Sequence, residues 1–102
     1  MFNVNDIIGS MRPDVDSICE ATKIVLHEHK QSNTKISGFA KKIFQIMQEW
    51  IVSEEWDKID KLTNCLRKTL NDDGVVVLDS IRPGSSIAEL TLILGVLEGA
   101  LQ

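Results

Sequence analysis

The chain has 102 residues, 43% of them apolar and 25% charged, a balance that sets a single helical domain over 1–102 and excludes a disordered tract. Its formal net charge of −4, from 11 basic and 15 acidic side chains, argues against nucleic acid as a partner. No run approaches the ~18 apolar residues of a membrane span and no basic n-region leads an apolar one, so a cytoplasmic protein without membrane contact is expected.

Val4, Ile7, Ile8 and Met11 recur at helical spacing and predict a short first helix that Pro13 ends. Asp14 suits the N-cap of a second helix, with Asp16 and Glu20 near its positive end. Val15, Ile18, Cys19, Thr22, Val25, Leu26 and His29 form its apolar stripe, and the cluster Gln31-Ser32-Asn33-Thr34 closes it. A third helix, over 35–52, carries the widest apolar arc. Ile36, Phe39, Ile43, Met47 and Trp50 stand opposite Lys41, Lys42, Gln45, Gln48 and Glu49, which predicts a central place in the core.

Ser53 is placed to cap a fourth helix whose first turn holds Glu54 and Glu55, with Glu54 and Lys58 as an i,i+4 pair. Trp56, Ile59, Leu62, Leu66 and Leu70 mark its buried side, and Gly74 stands where a left-handed cap is needed. The β-branched run from Val75 predicts one short extended segment near 75–78. Arg82-Pro83-Gly84 turns the chain, and Ser86 with Glu89 reads as a capping box for a last helix over 87–101. The expected fold class is mainly α, a small bundle of about five helices. Val15, Ile18, Val25, Leu26, Phe39, Ile43, Met47, Trp50, Ile59, Leu62 and Leu66 are expected to form its core.

The last helix departs from the amphipathic pattern. Between Ile87 and Leu101 only Glu89 and Glu98 are charged, so the helix is apolar nearly all round and must be covered on nearly all sides. Gly95 and Gly99 share one face with Leu92 and Val96, a spacing that lets two backbones approach closely. Leu92, Gly95, Val96 and Gly99 are therefore the candidate interface, and a second copy of the chain is the expected partner.

Residues 21–42 carry Lys23, Lys30, Lys35, Lys41 and Lys42 against one acid, Glu28, a local sum of +4. Their ordinary reading is a solvated helix face. The sharper one is a basic docking patch for an acidic protein or a phosphate. Conversely Glu54, Glu55, Asp57, Asp60, Asp72, Asp73 and Asp79 are a candidate surface for a small acidic inhibitor of immunity or antitoxin type, which neutralises a basic enzyme.

Chemistry-bearing motifs are few. No phosphate-cradling glycine loop, paired-histidine zinc motif or nucleophile elbow occurs, so neither catalytic residues, nor a metal, nor a cofactor are assigned. His27 and His29 stand two apart, on different faces of a helix. Cys19 and Cys65 fall on or beside apolar stripes and are expected as buried thiols, since reactive cysteines need an accessible, electropositive setting. His27, Lys30 and Ser32, near a helix end and followed by an amphipathic helix, resemble the motif of histidine-phosphotransfer domains. That resemblance implies a four-helix bundle whose exposed histidine accepts phosphate beside a lysine three residues on. Gln31 stands where that family has a glycine, and Gly38 lies one position off its usual place. The primary expectation is a non-enzymatic interaction module that self-associates through its last helix.

Overall fold

The computed structural model describes residues 4–33, 35–75 and 85–102. They form five helices: α1 (Val4–Ser10), α2 (Val15–Ser32), α3 (Phe39–Val52), α4 (Trp56–Asp72) and α5 (Ser86–Ala100), with no strand among the described residues. Of the extended segment expected near 75–78 only Val75 is described, its N–H donating to the Leu70 carbonyl at 2.8 Å; the rest lies outside the described residues, as do Asp79 and the turn at Arg82-Pro83-Gly84.

Helix ends follow local chemistry, with shifts from the sequence expectation. Asp14 caps α2, its carboxylate accepting from the Ser17 N–H at 2.7 Å. Asn33 ends α2 in the left-handed region, φ 53°, and donates its N–H to the His29 carbonyl. Helix α3 begins at Phe39 rather than near 35, because Gly38 takes a left-handed φ of 88° and breaks the run. Ile36 therefore lies outside the helix. It is buried, and its N–H donates to the Leu101 carbonyl at 2.8 Å, strapping the start of α3 to the end of α5.

Ser53 caps the C-terminus of α3 and not the start of α4, which begins after Glu55. Lys58 pairs with Glu55 at 2.6 Å instead of Glu54, whose own φ is 58°. The Lys58 hydrogen bond first, and that of the Ser53 hydroxyl second, hold the Glu55 carboxyl below the ordinary glutamate value. A depressed folded-state pKa gives stabilisation that is present above the unfolded value and lost as pH falls through the folded one. Side-chain NMR should therefore find Glu55 titrating below a free glutamate, and Lys58→Met should raise its midpoint. The capping box expected of Ser86 and Glu89 does not form, because both side chains are engaged by α4. Ser85 caps α5 by accepting from the Ala88 N–H, while the Ser86 hydroxyl bonds Asp60 and Glu89 pairs with Arg67.

Helix α4 is the hub of the bundle, packed against α2, α3 and α5, whereas α3 meets α4 and α5. The centre expected of α3 thus belongs to α4. Its period-3.6 stripe Ile59, Leu62, Leu66 and Leu70 is wholly buried, with Ile18 and Val25 of α2, Phe39 and Ile43 of α3, and Leu90, Ile93 and Leu97 of α5 in the same core. The expected core residues are all buried except Val15, which packs half-buried at its edge. Trp56, expected on the buried side of α4, is instead 46% exposed, because it stands at the first position of the helix, ahead of the buried stripe. Cys19 and Cys65 are not separate thiols: the structure joins them in a disulfide between α2 and α4. Two stripes that meet across one seam brought them together, which neither stripe shows alone.

Candidate interaction surface on the last helix

Helix α5 is covered largely by its own chain. Leu90, Ile93, Leu94, Leu97 and Leu101 are buried between α3 and α4, so most of the apolar area expected to need a second copy is satisfied internally. The strap at Ile36 and the hub position of α4 make this possible: α5 has neighbours on two sides rather than one.

What remains outside is the face named from the sequence. Leu92 is 39% exposed, Gly95 and Gly99 are exposed, and Val96 is half-buried. Their spacing places all four on one side of the helix, joined by exposed Ala88 one turn earlier. One flank is closed by Glu89, whose carboxylate is neutralised by Arg67 at 2.6 Å. On the other flank the Thr91 hydroxyl donates to the Ile87 carbonyl, leaving Glu98 as the charge at the rim. The centre of the face is uncharged.

The glycines are not required by the fold of one chain. A Cβ built at Gly95 or Gly99 meets nothing within 4 Å. Neither lies in a left-handed conformation, and each interior helical glycine destabilises the helix by roughly 0.8–1 kcal/mol relative to alanine. Gly95 also borders a groove of about 330 Å³ between α3 and α5, floored by Ala40, Phe44 and Leu94 and rimmed by Lys41 and Glu98. Sequence reading missed this groove, since it joins helices more than forty positions apart and only Phe44, on the flank of the α3 stripe, hinted at it.

The basic residues are spread over separate places. Lys23 lines a cleft of about 250 Å³ between α2 and α4 with Leu26, Thr69, Asp72 and Asp73. Lys30 donates to the Asp73 carbonyl at 2.6 Å and lies 3.4 Å from its carboxylate. Lys35 is exposed before α3, Lys41 stands on the α3–α5 groove, and Lys42 is half-buried. The acidic candidates divide likewise: Glu54 to Asp60 sit at the start of α4, and Asp72 and Asp73 about 20 Å away at its end, given a rise of about 1.5 Å per residue.

His27 is exposed on α2, but Lys30, the lysine that a phosphotransfer site would set beside the phosphate, is engaged by Asp73. Among the described residues no group of three His, Cys, Asp or Glu side chains is arranged to hold a metal ion, and no helix is long and apolar enough to cross a membrane. Compared with known proteins, the chain matches no family model, no curated protein and no solved structure.

Proposed function

We propose that this protein is a non-enzymatic interaction module of the cytoplasm that self-associates as a symmetric homodimer through Leu92, Gly95, Val96 and Gly99. The observation that carries the reading is the pair of exposed helix glycines with open space above them on an uncharged face. They weaken the helix of a single chain and give it no packing in return. Close approach of a second helix is the arrangement that uses them, because it brings backbone against backbone and covers Leu92 and Val96. A two-fold axis lets each copy cover the same face of the other.

Gly95→Leu tests it. Leucine is the better helix former, so the variant should keep or raise its helicity and melting temperature as a monomer. Its added side chain holds the second helix away, so self-association measured by sedimentation velocity should weaken by about tenfold or more, the equivalent of ~1.4 kcal/mol. Unchanged association in a well-folded Gly95→Leu variant would remove this face from the interface.

A further inference from the structure

The Cys19–Cys65 disulfide links α2 to α4 with 6.4 Å between Cα atoms, inside the ordinary span of such bridges. Its two sulfurs have unequal surroundings. Cys19 is only 4% exposed in the core, whereas Cys65 is half-buried and lines an open cleft of about 670 Å³. The other walls of that cleft are Asp14, Val15 and Asp16 at the start of α2, and Lys58 and Lys61 on α4. Two acidic and two basic residues thus line one cleft, with Lys58 also holding Glu55 and lying 5.8 Å from the centre of the Trp50 ring, and Asp14 also capping α2 through the Ser17 N–H. A small thiol that itself carries both an ammonium and a carboxylate is the complement of such a lining. The bridge lies in the seam that holds α2, which packs on α4 and on the short α1, while α3 and α5 pack on α4 and on each other.

We propose that Cys19–Cys65 is a reversible thiol–disulfide site, entered at Cys65 by a zwitterionic low-molecular-weight thiol such as glutathione, and that opening it loosens α2 on α4. A thiolate, the attacking species in such exchange, forms a bond to Cys65 Sγ. The Sγ–Sγ bond breaks, its electron pair passes to Cys19 Sγ, and that sulfur takes a proton. A second thiolate then attacks the small-molecule sulfur of the mixed disulfide and releases Cys65 Sγ, which is protonated in turn. Two thiols become one small disulfide while one protein bridge becomes two thiols, and the oxidised small disulfide runs the same steps in reverse. Cys19 does not serve as the entry point because the core covers it.

The test uses the whole unmodified chain in mixtures of reduced and oxidised glutathione, acid-quenched and read by peptide mass spectrometry. The glutathionyl adduct should appear on Cys65 in at least about tenfold excess over Cys19, following the access of the two sulfurs. Hydrogen exchange of the oxidised and reduced protein should then differ in α2, with amides of Ile18 to Leu26 exchanging about tenfold faster or more after reduction, and α3 and α5 unchanged. As a second arm, Cys19→Ser should take up one glutathione from its disulfide and Cys65→Ser should resist it. Equal adducts on both cysteines, a pair that no glutathione ratio converts, or identical exchange of α2 in the two redox states would each overturn the proposal.

Discussion

Leu66→Ala is expected to lower the free energy of unfolding by about 2–5 kcal/mol, since a fully buried leucine loses its burial and leaves a cavity. Leu66 sits in the middle of α4, the helix that touches α2, α3 and α5, so no single neighbour can move in to fill the space. The rigid hub is what makes the upper part of that range apply. Against the ~5–15 kcal/mol available to a domain of this size, the substitution takes a large share. Urea unfolding followed by circular dichroism should show a lower midpoint with an unchanged slope. A change under about 1 kcal/mol would mean that α4 is not the centre of the core.

The second large effect belongs to Arg67 and Glu89. Their side chains are 7% and 15% exposed and meet at 2.6 Å, tying α4 to the first turn of α5. Removing one partner of a buried pair costs about 3–5 kcal/mol, because the remaining charge stays in a poorly solvated place. Glu89→Ala should therefore destabilise by about 3 kcal/mol or more, although alanine is a good helix former. Arg67→Met with Glu89→Leu, which replaces both charges by apolar groups of similar volume, should lie within about 1 kcal/mol of the wild type. Lys30 and Asp73 give the contrast. With the Lys30 side chain 59% exposed, the pair is worth under about 1 kcal/mol, and Lys30→Met should barely move the unfolding midpoint.

Periodicity carried most of the fold. The stripes of α2, α3 and α4 were legible because each helix buries one side only, and Asp14 and Gly74 were legible because their backbone roles need those residue types. Ends governed by competition were less so. Ser53 stands between two helices and closes the first by bonding the Glu49 carbonyl, while the choice between Ser85 and Ser86 depends on where Asp60 and Arg67 of α4 come to lie. The hub role of α4 was hidden for a related reason: its stripe is narrower than that of α3, and how many helices share a stripe is a property of the assembled bundle.

The last helix was half legible. Its lack of charge showed that it is covered on several sides, but the sequence could not apportion that cover between the chain itself and a second copy. The structure assigns Leu90, Ile93, Leu94 and Leu97 to the internal core and leaves Leu92, Gly95 and Gly99 outside. The exposed apolar area is accordingly smaller than the composition of α5 suggests. Any dimer is then carried by the close approach that glycine allows rather than by rescue of a large wet surface.

Sedimentation equilibrium of the wild-type chain at low micromolar concentration tests that claim most directly. Self-association through α5 predicts a mass of twice the 11.4 kDa chain that falls toward the monomer on dilution and in Gly95→Leu. A single species of 11.4 kDa at every concentration, with Gly95→Ala and Gly99→Ala simply raising its stability, would contradict it.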